Sequence, residues 1–317
     1  MKLNFEDLNT SLIKWKKEFL LQKRADECSK NTIEVYSRVL DHFIEFSLEY
    51  NEDYTMEMIN SMYLTAYKTY LQELNLGIST RNTHLTVIKI FLGFITSSNE
   101  EQHDYTKVIS STKKIKSENI TDGLKETQYL NKTERERLIA YLEKLFSKKP
   151  NNFFAVRNYL LLKILIYCAP RASELINLKL SEISIDEENN RYYVLLFHGK
   201  GNKLYKDWIM KDKIEYALED YIKIVGNLEC SIAARRNKTT MTRQELYKSI
   251  NSLLKAAGIK KQGVHLFRHS LGKRLTVEEN LNLVQVQKKL NHANITTTAK
   301  FYANVNEQDK KQIADVL

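Results

Sequence analysis

Apolar side chains recur every three to four positions through most of this chain, the interval at which residues of an α-helix return to one face. Leu8, Leu12, Trp15 and Phe19 form one such stripe, and Ile33, Tyr36, Leu40 and Phe43 form the next after a start at Asn31. Met62, Ala66, Tyr70 and Leu74 continue the pattern up to Gly77, and Ser79 opens a fourth segment carrying Leu85, Ile88, Leu92 and Ile95. Four amphipathic helices make a small all-α domain. The period is then lost across 97–128, a polar run that reads as a tether rather than a packed element. Beyond it, Thr133 with Glu136 reads as a capping box for a helix carrying Leu138, Tyr141, Leu142 and Leu145. The expected division is a helical domain over 1–115, a linker over 116–128 and a second domain over 129–317.

Within that second domain, 153–167 is apolar on most faces, which predicts a central helix ended by Pro170. Residues 191–210 carry two β-rich runs around His198-Gly199-Lys200-Gly201-Asn202-Lys203, the pattern of a hairpin with a glycine-containing turn. Helices are expected at 211–225, 242–257, 266–275 and 284–290, with a last short one after Asn306. Proline occurs only at 150 and 170 and glycine is sparse, so long helices dominate. The fold class is mainly α: an N-terminal four-helix domain plus a larger mixed, α-rich domain with a small antiparallel sheet or hairpin.

Composition sharpens this into a class of partner. The formal charge is +10 and the pI about 9.2, yet 43% of residues are hydrophobic, so the chain can fold and still present a basic face to a polyanion. Nucleic acid leads, ahead of an acidic membrane surface. No uncharged stretch of about 20 residues appears, so neither a membrane span nor a signal peptide is expected, and the protein reads as cytoplasmic. Cys28, Cys168 and Cys230 are widely spaced and odd in number, which argues for buried free thiols rather than a disulfide framework or zinc site. There is no G-x-x-x-x-G-K-[ST] loop, so no nucleotide is implied, and no cofactor is expected.

Six polar residues carry the candidate chemistry: Arg171, Lys200, His265, Arg268, His292 and Tyr302. Cleaving a phosphodiester needs a nucleophile, charge to stabilise a pentavalent phosphorane and an acid for the departing sugar oxygen. Two arginines can fork onto non-bridging oxygens, a role a point-charge lysine fills less well. His265 and Arg268 are three positions apart and share a helical face. The plainer reading of Arg171 is an ion pair with Glu174 one turn on, and that of Lys200 a solvated turn lysine. His265 and His269 have the spacing of the zinc motif H-E-x-x-H, but Leu266 stands where its general base belongs. His42, His84 and His103 read as structural.

These stretches, Arg171-Ala-Ser-Glu174-Leu175, Gly199-Lys200-Gly-Asn-Lys203, His265-Leu-Phe-Arg268-His-Ser270, Leu290-Asn-His292 and Thr296-Thr-Thr298 followed by Tyr302, resemble in order the motifs of the tyrosine recombinase (phage integrase) family, with a Xer-like arrangement. The resemblance covers the whole second domain, and the four-helix domain resembles the family's SAM-like core-binding domain. It implies a metal-independent, site-specific recombinase in which Tyr302 attacks to leave a 3′-phosphotyrosine, Arg171 and Arg268 hold the phosphate, Lys200 (with Lys203 behind it) protonates the leaving oxygen, and His265 and His292 bond the phosphate or relay a proton. The host role implied is Xer-type resolution of chromosome dimers. The alternatives are integrase or transposase of a mobile element, a relaxing enzyme like the type IB topoisomerases, or a non-catalytic DNA-binding factor.

The implied partners are double-stranded DNA bearing a recombination site, a homotetramer on two duplexes joined through a C-terminal helix over 306–317, and an accessory protein; the implied location is the nucleoid. Candidate DNA contacts are Arg24, Arg38, Arg81, Lys89, Lys113, Lys114, Lys203, Arg243 and Lys261, with Lys116, Lys238 and Lys260 beside them. The chain departs from the family pattern in places. Ala169-Pro170 precedes the first arginine where Gly-Leu or Gly-Met is usual, and Leu271-Gly272-Lys273 replaces Phe-Ala-Thr. One extra residue separates His292 from Tyr302, so Phe301 takes the usual slot, a spacing shared with some mobile-element integrases. The lack of an arm-binding domain ahead of the four helices leans towards the Xer-like arrangement.

Overall fold

The computed structural model describes residues 7–50, 54–98, 103–116, 126–149, 152–199, 201, 203–292, 298 and 299. Lys200, Tyr302 and the expected helix over 306–317 lie outside the described residues. The chain divides into two compact units, Met1–Ile120 and Thr121–Leu317.

The first unit is built from α1 (Leu8–Ala25), α2 (Lys30–Tyr50), α3 (Ser61–Glu73), α4 (Ile78–Ser98) and the short α5 (Thr106–Ser111). Asp7 starts α1 by accepting from the Thr10 amide at 2.9 Å, and Asn60 starts α3 by accepting from Met62 and Tyr63. The core takes Leu8, Leu12 and Phe19 from α1, Leu40 and Phe43 from α2, and Leu85, Ile88, Leu92 and Ile95 from α4.

Helix α3 presents a different face from the one its apolar spacing suggests. Met62 and Leu74 are exposed, and the buried set is Tyr63, Leu64, Tyr67 and Leu71. Both faces have helical spacing, but the second buries two aromatic bodies whose hydroxyls find partners, Tyr63 on Ser47 Oγ at 2.6 Å and Tyr67 on His84 Nδ1 at 2.8 Å. Burial pushes the His84 imidazole down to about 4, so it is neutral near pH 7.

The first part of the expected tether is packed. Tyr105 is buried and donates its hydroxyl to the Met56 carbonyl at 2.8 Å, Val108 joins the core, and the Asn82 side chain clasps Ile115 through both backbone groups. Few apolar residues do this work in a polar context, too few to register as a period.

The second unit opens with α6 (Lys132–Lys148), whose capping box is Asn131 with Glu134 rather than Thr133 with Glu136. The central α7 (Phe153–Tyr167) is buried almost all round. Its two charged residues have local partners: Arg157 bonds the Ala234 carbonyl and lies against the Phe154 ring, and Lys163 pairs with Glu143 at 3.1 Å. After the six-residue α8 (Ala172–Asn177) comes an antiparallel sheet, β1 (Ile183–Ile185), β2 (Tyr192–His198) and β3 (Leu204–Met210), in that order. The hairpin was legible from sequence; β1, three residues long, was not. Register pairs Tyr193 with Ile209, Leu195 with Asp207 and Phe197 with Tyr205, and the buried members of these pairs make this the inward face.

Helices α9 (Glu215–Val225), α10 (Arg243–Ala256), α11 (His265–Lys273) and α12 (Leu283–Lys289) follow among the described residues. Gly226 closes α9 in the left-handed conformation, and Thr242 with Glu245 forms a capping box for α10. A π-helical turn, Arg274–Glu278, follows α11 and is tied to α6 by a two-pronged Arg135–Glu278 ion pair.

Candidate active site

Two helix exits place the site. Helix α7 ends with Ala169 in the left-handed region at φ 48°, its amide bonded back to the Ile164 carbonyl at 3.2 Å, and the chain then delivers Arg171 at the start of α8. Helix α12 ends the same way. Asn291 has φ 46°, and the His292 amide reaches back five residues to the Gln287 carbonyl at 3.0 Å. Asparagine tolerates this conformation better than most residues; alanine does so at some cost.

One buried guanidinium staples the two exits together. Arg268, in the middle of α11 and 2% exposed, donates Nη1 to the Ala169 carbonyl at 3.0 Å and Nη2 to the Leu290 carbonyl, and its Nε lies 3.3 Å from His292 Nε2. Since His292 Nε2 accepts there, the neutral ring carries its proton on Nδ1 and donates to Thr298 Oγ1 at 2.9 Å. Burial, followed by the positive charges of Arg268 and Arg171, holds His292 down at about 4.

Arg171 is held from the other side. The Glu174 carboxylate, 2% exposed, accepts from the Arg171 amide at 2.6 Å, from its Nη1 at 2.8 Å and from the Tyr205 hydroxyl at 2.8 Å. Arg171 Nη2 also reaches the Asn291 carbonyl at 3.3 Å. The ion pair that sequence offered as an alternative to function is therefore real, and it aims the guanidinium towards the α12 exit. His265 is exposed at the start of α11. Packing of the surrounding protein, then Arg268 and Arg171, lower its pKa, and its ring meets that of His269 edge-on at 4.6 Å between centroids. His269 is pushed to about 4 by burial, with His265 and Arg268 adding to it.

Arg171, His265, Arg268 and His292 thus come together from three separate stretches of sequence. Other groups bond these residues: Glu174, which sequence offered only as an ion-pair partner, Thr298, Tyr205 and the carbonyls of Ala169 and Leu290. Glu174 at three positions from Arg171 was a usable signal; a tyrosine in a strand and two carbonyls leave none.

The basic residues singled out for DNA fall in varied surroundings. In the first unit Arg24, Arg38, Lys113 and Lys114 are exposed, Lys89 is half-buried, and Arg81 bonds Gln72 at 3.2 Å. In the second, Arg243 and Lys203 are exposed, and the Lys203 carbonyl closes the hairpin turn by accepting from Gly199 at 2.8 Å. Lys261 is engaged internally, its ammonium bonding the Tyr129 carbonyl at 2.8 Å and Glu134 at 2.6 Å. Among the described residues no group of three or more metal-ligating side chains assembles, and no helix is long and apolar enough to cross a membrane.

A family model described as the phage integrase family matches residues 128–309, more than half of the chain, and one described as the phage integrase SAM-like domain matches 2–93. The chain belongs to the phage integrase family. Among similar proteins, tyrosine recombinase XerH of Campylobacter jejuni is 26% identical over 299 residues, covering 93% of this chain and 81% of that protein. Tyrosine recombinase XerD of Oceanobacillus iheyensis is 26% identical over 293 residues, covering 90% and 91%. Among solved structures, XerH bound to palindromic difH substrate in a post-cleavage complex matches with a TM-score of 0.78 at 21% identity, over 100% of this chain and 99% of that one. A lambda integrase tetramer bound to a Holliday junction matches at 0.67 and 14% identity, over 94% and 78%. At such identities these two structures establish the tyrosine recombinase fold.

Proposed function

We propose that this protein is a site-specific DNA recombinase that cleaves and rejoins strands through a 3′-phosphotyrosine, in the manner of the Xer enzymes it is similar to. The observation that carries the reading is the convergence of Arg171, Arg268, His265 and His292 around two stapled helix exits. Two fixed guanidinium groups with two imidazoles kept neutral make a site of positive potential without surplus protons, suited to an anionic phosphorane. Tyr302 is the nucleophile. The positive field of the two arginines favours its phenolate, and attack on phosphorus expels the 5′-oxygen, which Lys200 protonates, with Lys203 as the second candidate. Of the two histidines, His292 and His265 share phosphate contact and proton relay. The ester keeps the bond energy, so a free 5′-hydroxyl of the partner strand reverses the step without ATP.

The working unit is a homotetramer on two duplexes, coupled through residues 306–317, located with the nucleoid in the cytoplasm and assisted by an accessory protein. The host role is resolution of chromosome dimers. The extra residue between His292 and Tyr302 favours a second reading, integrase of a mobile element, with the same chemistry. Arg24, Arg38, Arg81, Lys89, Lys113, Lys114, Lys203, Arg243 and Lys261 form the DNA-facing set, Lys261 acting mainly by holding 129–134 in place. The test is denaturing capture of protein–DNA adducts after incubation with genomic DNA of the encoding host. Wild type is expected to yield adducts at one sequence and Tyr302→Phe none; binding without any adduct would point to a non-catalytic DNA-binding factor. Native mass on the recovered site separates a tetramer from a monomeric, topoisomerase-like enzyme.

A further inference from the structure

The inward face of β3 meets the candidate site at one side chain. Tyr205 is the second residue of the strand that leaves the 199–203 turn, and its ring stacks on that of Phe197, its register partner, at 5.3 Å between centroids. That packing fixes the ring and leaves only the hydroxyl to choose a partner. It donates to Glu174 Oε2 at 2.8 Å, the same oxygen that accepts from the Arg171 amide, while Oε1 accepts from Arg171 Nη1.

A carboxylate turns easily about its last bond, because that torsion has a broad minimum. The Arg171 amide anchors Oε2 from within the same helical turn, and a second donor on that oxygen is needed to hold the carboxylate plane against the pull of the guanidinium on Oε1. Tyr205 is the donor that comes from a different element. Burial, reinforced by the neighbouring Glu174, raises the Tyr205 pKa, so the hydroxyl remains a donor across the working pH range.

We propose that Tyr205 is a positioning residue for Arg171: its hydroxyl fixes the plane of the Glu174 carboxylate, and so registers the Arg171 guanidinium against the strand that follows the Lys200 turn. The proposal rests on the recombinase reading of the site. Tyr205 touches no substrate in this scheme and acts only through Glu174. It ties β3 to the phosphate-holding arginine through one carboxylate.

The experiment measures single-turnover cleavage of a nicked suicide duplex carrying the site recovered by adduct capture, using the full chain. Tyr205→Phe keeps the ring and its stacking and removes one oxygen. Its cleavage is expected to slow by roughly tenfold, since small misplacements of a catalytic group cost factors of ten to a hundred, with DNA affinity within about twofold of wild type. Arg171→Lys supplies the second arm. Because Tyr205 acts through the arginine, the double variant Tyr205→Phe with Arg171→Lys is expected to cleave no more slowly than Arg171→Lys alone, an equality that a general loss of stability would not produce.

Wild-type cleavage by Tyr205→Phe, alongside an inactive Arg171→Ala, overturns the positioning role and leaves the site reading standing. Multiplicative losses in the double variant overturn it as well. Wild-type cleavage by Arg171→Ala overturns the site reading and this proposal with it.

Discussion

Replacing Arg268 with alanine is expected to unfold the second unit at markedly lower temperature, because this residue is a structural staple as well as a phosphate-holding candidate. Its side chain bonds the carbonyls that end α7 and α12, and it is 2% exposed. A hydrogen bond from a charged donor contributes about 1.5–3 kcal/mol, and the two carbonyls are left in the protein interior when the donor goes. Two such losses amount to roughly 3–6 kcal/mol by the same rule; the long contact to His292 adds little. In a unit of this size each kcal/mol moves the midpoint by about 2–4 °C, so a fall of roughly 6–24 °C is expected. Arg268→Lys offers one ammonium for two diverging carbonyls and should lose about half as much. The assay is thermal unfolding of the full chain followed by far-ultraviolet circular dichroism. An alanine variant melting within about 2 °C of wild type would refute the staple. If the staple is right, loss of recombination in Arg268→Ala reports collapse of the site as much as loss of a phosphate contact, and Arg171 is the cleaner residue for probing catalysis.

The pair of Asp207 and Lys289, 2.5 Å apart, ties β3 to α12. Asp207→Asn strands the ammonium, with an expected cost of about 2 kcal/mol in urea unfolding, discounted because Lys289 is partly solvated; Asp207→Leu with Lys289→Met should recover most of it. Stability should also depend on pH through His269 and His292, both held at about 4 against a usual 6.5. Their folded pKa values are depressed, so the stability they contribute is fully present above about pH 6.5 and lost as pH falls towards 4. A melting midpoint that stays flat over that window, or one unchanged in slope by His292→Gln, would count against the buried neutral imidazoles. At Asn291, with φ 46°, glycine should be tolerated, whereas valine should cost about 1–2 kcal/mol in the same melts.

Sequence carried the fold as far as periodicity reaches. Leu85, Ile88, Leu92 and Ile95 form one apolar stripe, and they are all buried. Helix α3 offered two stripes, and only tertiary partners, Ser47 and His84, decide for Tyr63 and Tyr67. Tyr105 and Val108 dock a segment whose polarity hides it. The four candidate residues that the structure describes stand out in sequence because they fall in three local motifs. What motifs could not show is how they are held: Ala169 and Leu290 act through backbone carbonyls, which every residue possesses, and Tyr205 reaches Glu174 across 31 positions of sequence.

The proposed recombinase makes a covalent bond to DNA through Tyr302. Adducts formed on host DNA, digested with nuclease and trypsin, should yield one modified peptide, 301–310, with a nucleotide remnant on Tyr302 and a free 5′-hydroxyl on the released strand. Adducts on another tyrosine, a 5′-phosphate on the released strand, or specific binding with no adduct at all would rule out Tyr302 as the nucleophile.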